Sequence, residues 1–297
     1  FFAPLVSQNE FDNQIDQDQK KYLQYYFEAE KHKLLEDYHQ ALVLYEKCIS
    51  LNPAEASSYN EIAKIYFYWE DWSNSEYYIR QAISIDSTNK WYYYLLLDLC
   101  LVQDKLNEQI DVYSSLIDLD SKNYVYYLQK IQLLKELKLY KKSIREIKKA
   151  EKVFGPSIDL MFELKSIYLA ENNFREAERI GKKMVSVFPG TSRSYNELGA
   201  VYLYFSKYDE AIRVYQNLLD VFPEDPVAIT ALYKIYVNKK DRPNEEKHLL
   251  KIVQNRDINI QTKKDFLYSI LQENDIEKYG NFRTIIESVL ELSPNDG

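Results

Sequence analysis

The chain has 297 residues, 46% of them apolar, with only 6 Gly and 8 Pro; it is long enough to bury a sizeable core and too poor in turn residues for an all-β or Gly-rich fold, so a helical protein is the default. Thirty-eight basic against 46 acidic side chains leave a net charge of −8, which argues against a nucleic-acid ligand, whose capture needs a basic footprint. Two cysteines, Cys48 and Cys100, are too few for a disulfide framework, and the absence of any CxxC or Cys/His zinc spacing leaves no metal site to expect.

In chain order, the first element is FFAPLVSQ, a short apolar run that closes on Ser7 and gives way to polar residues. It reads as the tail of a secretory signal peptide, so an exported chain is expected, periplasmic or envelope-associated in a Gram-negative bacterium, with the cytoplasm as the other compartment the composition allows. No apolar run reaches the roughly 18 residues of a membrane span. Residues 1–21 are therefore assigned to this lead and a polar linker, and the periodic region to 22–297.

Pro53, Pro189 and Pro223 lie 136 and 34 residues apart, a spacing of four repeats and one. A frame of 34 residues starts units at Tyr22, Ala56, Lys90, Tyr124, Ile158, Ser192 and Pro226, with an eighth from residue 263 after a three-residue insertion, closed by Pro294. Position 17 reads Tyr38, Trp72, Leu106, Tyr140, Phe174, Tyr208, Arg242 and Tyr279, aromatic in six of eight. Each unit is patterned as two amphipathic helices joined by a polar turn such as Glu70-Asp71 or Asn172-Asn173. Gly199, at position 8, costs its helix about 1 kcal/mol relative to alanine, so it is expected to let its hairpin's backbones approach opposite Ala211 at position 20. Leu97, Ile131, Lys165, Tyr233 and Ile270 at position 8, and Gln109, Glu245 and Phe282 at position 20, predict wider hairpins.

Repeat 6 carries Tyr195, Leu198, Gly199, Tyr202, Ala211, Tyr215 and Pro223, which resembles the tetratricopeptide repeat pattern W-x2-L-G-x2-Y…A-x3-F…P with tyrosine in the aromatic slots. The resemblance, followed over residues 22 to 297, implies an all-α, right-handed α-solenoid of about eight 34-residue helix-turn-helix repeats, first helices lining a concave groove and second helices forming the back. It further implies a non-catalytic scaffold for a protein or peptide partner, without a cofactor. No GxSxG, HExxH, P-loop or Rossmann fingerprint is present. His32, His39 and Cys48 lie close in sequence, but His32 fits a core slot and Cys48 a small buried hydrophobe. A solenoid needs a polar cap at each end, so the protein is expected to continue past Gly297 or to be covered there by another subunit. The alternative is that these residues are the repeat portion of a larger enzyme or of a secretion or envelope machine.

Positions 2, 5, 9, 12 and 13 face the groove in the family. Here they supply Tyr26, Asn60, Lys64, Phe67, Tyr68, Trp91, Tyr94 and Asp98 in the first half, then Leu128, Gln132, Phe162, Asn196, Tyr204 and Lys234. Exposed aromatic clusters mark interaction sites, so a peptide or protein is expected here; the plainer reading is that these tyrosines, among 28 in the chain, pack across adjacent hairpins. The family's Lys, Asn and Arg carboxylate clamp is not met, because Asn60 and Lys64 are followed by Tyr94 and Asp98. Tyr94 at position 5 is expected to be more open than Tyr93 at position 4. On the second helices, Lys141, Lys142, Arg145, Lys148, Lys149 and Lys152 of repeat 4 precede Arg175, Arg179, Lys182 and Lys183 of repeat 5, with Arg213 continuing the register. Stacking predicts a basic convex ridge that would dock an acidic protein or anionic lipid. The plainer reading is a solvated charged face, interrupted by Glu146, Glu151 and Glu178.

Overall fold

The computed structural model describes residues 8–272, and the described residues form fifteen α-helices and no strand. These are α1 (Gln8–Leu34), α2 (Tyr38–Leu51), α3 (Ala56–Tyr68), α4 (Trp72–Ile85), α5 (Lys90–Val102), α6 (Leu106–Leu119), α7 (Tyr124–Glu136), α8 (Tyr140–Phe154), α9 (Ile158–Ala170), α10 (Phe174–Val187), α11 (Ser192–Tyr204), α12 (Tyr208–Val221), α13 (Pro226–Lys239), α14 (Arg242–Gln254) and α15 (Ile260–Gln272). From α2 to α14 the helices begin at positions 1 and 17 of the 34-residue frame. Two boundaries differ from expectation. α1 begins at Gln8, so residues 8–21, read as a polar linker, continue the first helix. α15 begins at Ile260 rather than 263, in step with the unshifted frame. The apolar start, Tyr279, Phe282, Pro294 and the end at Gly297 lie outside the described residues.

The turns explain the regularity. At position 15 the chain takes a left-handed conformation without glycine, at Glu36, Glu70, Asp104, Lys138, Asn172, Ser206 and Lys240, with φ between 53° and 61°. This closes the first helix: Glu70 N–H donates to Phe67 O at 3.0 Å and Asp71 N–H to Tyr66 O at 2.9 Å, which satisfies carbonyls that a helix end would leave orphaned. The next residue opens the second helix, where Asp37, Asp71, Asn173 and Asp241 accept from backbone N–H groups of Gln40, Asn74, Glu176 and Asn244. Two consecutive residues thus end one helix and start another.

Where position 20 is polar it can reach back across the hairpin, to position 8 in repeats 2 and 4 and to position 11 in repeat 3. Ser75 Oγ donates to Ala63 O at 2.8 Å and Ser143 Oγ to Ile131 O at 3.3 Å, while buried Gln109 donates to Cys100 O. Gly199 does not serve the role expected of it. A Cβ there would meet the Tyr215 ring at 2.4 to 2.8 Å, so the missing side chain makes room for that buried ring and not for a backbone approach at Ala211. The close backbone approach belongs to Gly181, whose added Cβ would lie 3.2 Å from Leu198 Cα.

The chain divides into two compact units, at residues 1–154 and 155–297, with Gly155 at φ 80° followed by Pro156 at the break. In unit 1 the core runs through Tyr45, Ile62 and Ile65 to Ile79, Leu99 and Leu116. In unit 2 it runs through Met161, Ile180 and Met184 to Tyr215, Leu232 and Leu249. First helices of neighbouring repeats touch, α3 with α5 in unit 1 and α9 with α11 in unit 2, so they share one side of each stack. Each unit is accordingly an α-solenoid of helical hairpins. Both cysteines are buried and free, and Cys48 Sγ donates to Tyr22 O. His32 is not the core residue expected: it is half-exposed and its Nδ1 lies 3.0 Å from Asp37 Oδ2, beside the first turn.

Candidate functional site

In unit 1 the groove-assigned residues fall into two groups. The first is an aromatic platform on α5 and α7. Trp91 is 67% exposed and meets Tyr94 edge-on at 5.4 Å, and the half-buried Tyr94 holds the hydroxyl of buried Tyr126 at 2.5 Å. Tyr93, one residue earlier, is buried and donates to Ser87 O. Position 5 is therefore the more open of the two, as the helical register requires. Tyr68 is 64% exposed and packs on Tyr38 at 4.8 Å. Phe67 is half-buried against Trp72, and Gln132 and Asp98 are exposed. Although Asp98 is exposed as a residue, partial desolvation of its carboxyl against the neighbouring helices raises it above its ordinary range.

The second group gathers around a carboxylate that the sequence reading passed over. Glu61 is buried; Lys33 Nζ donates to Oε2 at 2.6 Å, Lys64 Nζ to Oε1 at 2.7 Å and Asn60 Nδ2 to Oε1 at 2.9 Å. Lys33 also bonds Glu30 at 2.8 Å, which accepts from the Tyr45 hydroxyl. Burial alone would lift the Glu61 carboxyl, but the hydrogen bonds from Lys33 and Lys64 outweigh it and hold the group below its ordinary range. Burial, and then the nearby Glu61 and Glu30 charges, push the Tyr26 phenol well up. Tyr26 itself stacks on Tyr22 at 6.0 Å and meets Tyr45 edge-on at 5.6 Å. Asn60, expected to line the groove, is only 7% exposed. The signal for this network was in the sequence: Ser58-Tyr59-Asn60-Glu61 recurs as Ser194-Tyr195-Asn196-Glu197, four repeats later.

Unit 2 answers with a simpler pair. Glu197 accepts from Lys165, which is 4% exposed and lies with its ammonium 4.8 Å from the Phe162 ring centroid. Arg193 sits 5.6 Å from the same ring and pairs with Asp159 at 2.7 Å. Phe162 is thus engaged by two cations and is no open apolar anchor. The Oδ1 atoms of Asn60 and Asn196 are both buried without a hydrogen-bond partner among the described residues, a cost of about 1 to 3 kcal/mol for each unmade bond. Tyr204 is exposed. Lys234 is exposed over Phe266 and rims a cavity of about 410 Å³ lined by Leu203, Tyr208, Tyr215, Ala231 and Ile235.

The basic second helices differ from one another. On α8, Lys141, Lys142, Arg145, Lys148 and Lys149 are exposed; Lys149 pairs with Glu146 at 2.8 Å, and the other four have no ion-pair partner among the described residues. On α10, Arg179 pairs with Glu176 at 2.8 Å and Lys182 with Glu178 at 3.0 Å. Lys183 there is half-buried and Arg175 exposed. Among the described residues no group of three or more His, Cys, Asp or Glu could hold a metal ion, and no helix is long and apolar enough to cross a membrane.

Comparison with known proteins gives two family matches, both to tetratricopeptide repeat models, over residues 25–55 and 194–226. Among solved structures, the C-terminal part of a TPR repeat-containing protein from Cytophaga hutchinsonii is 14% identical, over 79% of this chain and 96% of that one, at a TM-score of 0.51. A tetratricopeptide repeat protein from Parabacteroides merdae is 15% identical, over 84% and 98%, at 0.41. YrrB, a TPR protein with an unusual peptide-binding site, is 18% identical, over 63% and 96%, also at 0.41. Likeness at such identity is one of fold. The curated proteins contain no match.

Proposed function

The chain belongs to the tetratricopeptide repeat family, and from that premise we propose that it is a non-catalytic scaffold that holds a peptide or extended protein segment along its first helices. The observation that carries this reading is the platform of Trp91 and Tyr94. A tryptophan two-thirds exposed and held by an edge-on ring and a tyrosine pair is pre-organised in the way interface anchors are, since little freedom is left to lose on binding.

Peptides selected from a random display library against the protein would test it. Trp91→Ala and Tyr94→Ala are expected to weaken the selected peptides by about tenfold or more each, an anchor-sized loss; melting should be unchanged in Trp91→Ala, whereas Tyr94→Ala, which leaves the buried Tyr126 hydroxyl without its partner, should also cost about 1 to 3 kcal/mol of stability. Tyr93→Ala is expected to destabilise by about 3 kcal/mol or more, as truncation of a buried aromatic does. Peptides indifferent to Trp91 and Tyr94 would remove the groove reading.

A second dock for an acidic protein or anionic lipid is supported on α8, whose exposed Lys141, Lys142, Arg145 and Lys148 have no ion-pair partner among the described residues. It has no such support on α10, where the cations are largely paired. Reversal of Arg145 and Lys148 to Glu should abolish that association, and rising salt should weaken it. Export to a bacterial envelope rests on the first seven residues alone, and fractionation of expressing cells would test it.

A further inference from the structure

Beside the exposed line of α8 lies a feature that a flat charged face does not require. A cleft of about 380 Å³ opens between α6 and α8, with Lys130 of α7 at its back; Lys142, Arg145 and Lys149 stand over it, and Ile110 and Leu134 form its apolar wall. Two carboxylates share the lining. Buried Glu146 lies 2.8 Å from Lys149 and 3.3 Å from Lys130, and Asp111 on α6 has no ion pair among the described residues. Four cations against two carboxylates leave an excess of two positive charges.

We propose that this cleft binds a small phosphomonoester, its phosphate held by Lys142, Arg145 and Lys149 and its ester group against Ile110 and Leu134. The charge excess matches a phosphomonoester, which carries about −1.5 to −2 near neutral pH, whereas a lone carboxylate would leave one cation uncompensated. Arg145 supplies the planar fork that pairs with two phosphate oxygens, and the lysines act as point charges beside it. The volume lies in the range of small-ligand sites, roughly 300 to 1,000 Å³. The inference rests on the reading of α8 as an anion-facing surface and takes nothing from the groove.

Calorimetric titration at low salt with phenyl phosphate and phenyl sulfate separates charge from shape, since the two share a ring and differ by about one charge. Phenyl phosphate should bind about tenfold tighter than phenyl sulfate. Lys142→Gln combined with Arg145→Gln should weaken phenyl phosphate by about tenfold or more, while Lys141→Gln combined with Lys148→Gln, on the outer line of the same helix, should cost less than about threefold. Equal affinity for the two esters, or equal losses in the two double variants, would overturn the cleft and leave a diffuse ridge. O-phosphoserine and a neutral peptide centred on phosphoserine identify the carrier: tighter binding of the free amino acid supports the small ligand, and tighter binding of the peptide overturns it in favour of a phosphorylated protein. Failure of the wider α8 reading looks different, since anionic partners would then ignore Lys141 and Lys148 while the ester titration stands.

Discussion

Ser58–Glu61 in unit 1 and Ser194–Glu197 in unit 2 spell the same four residues at the same repeat position, yet the two carboxylates are neutralised by different means. Glu61 is shared by Lys33 of the preceding repeat and Lys64 one turn on. Glu197 has Lys165, which occupies position 8, where Gly199 and Ala63 stand in repeats 6 and 2. The motif fixes a carboxylate between neighbouring first helices, and each unit then recruits a counter-charge from whichever neighbour can reach. Lys165, a departure from the repeat pattern, is in this light a compensation for Glu197. α8 and α10 make the same point from the other side: matched cation positions give one open basic helix and one largely paired one, because the acidic neighbours differ.

The largest effect should come from breaking the simpler pair. Lys165→Met removes the ammonium from a carboxylate that is itself mostly buried, and an uncompensated buried charge costs about 3 to 5 kcal/mol. Lys64→Met should cost less than about 1 kcal/mol, since Lys64 is half-exposed and Lys33 stays in place on Glu61. Urea unfolding of the two variants measures both. Adding Glu197→Leu to Lys165→Met should restore most of the loss, because an apolar pair of similar volume replaces the ion pair. Equal losses from Lys165 and Lys64 would show that the two networks are equivalent despite their wiring.

The glycines of unit 2 come next. Unit 1, among the described residues, uses no glycine within a helix, and unit 2 uses two, Gly181 and Gly199, each under a side chain of a neighbouring helix. Alanine at either gains about 1 kcal/mol of helix propensity and loses about 1 to 3 kcal/mol to overpacking. Gly199→Ala should be the worse, since the ring it would strike at 2.4 Å belongs to a fully enclosed tyrosine. Tyr215→Leu in the same chain should recover part of that loss. If Tyr215→Leu brings no recovery, the glycine is needed for some reason other than the ring.

Much of this architecture could be read from residues in order. Position 17 and the prolines placed the hairpins, because a turn that ends one helix and caps the next in two residues leaves no slack in the repeat. The faces of α5 followed from register, with Tyr93 inward and Tyr94 outward. What could not be read was which charges would meet. Asn60, Lys64 and Tyr26 were assigned to the groove one by one; Asn60 and Lys64 meet Glu61 locally on α3, but Lys33 arrives from another repeat, and helical period does not encode that distance. The basic register overstated α10 because Glu176 and Glu178 lie one turn before Arg179 and Lys182, a spacing that neutralises them locally. Gly199 was misread because its partner, Tyr215, sits a full turn beyond the residue expected opposite it.

The smallest expected effect concerns position 15, where both units place non-glycine residues in the left-handed region. An L-residue there costs roughly 1 to 2 kcal/mol relative to its right-handed state, and glycine avoids that cost while giving back some freedom in the unfolded chain. Lys138→Gly in unit 1 and Ser206→Gly in unit 2, at φ 56° and 54°, should each stabilise by up to about 1 kcal/mol, a rise of roughly 2 to 4 °C in melting temperature. Asn172→Gly, at φ 54°, should gain the least, because asparagine tolerates this conformation through local hydrogen bonds. Lys148→Gly, inside α8, should lose about 1 kcal/mol. The ranking, more than any single shift, is the test: a gain at Asn172 as large as at Ser206 would mean that these turns are set by packing of the flanking helices and not by strain at the residue, and the two units would then differ in their charges and glycines but not in how their hairpins are closed.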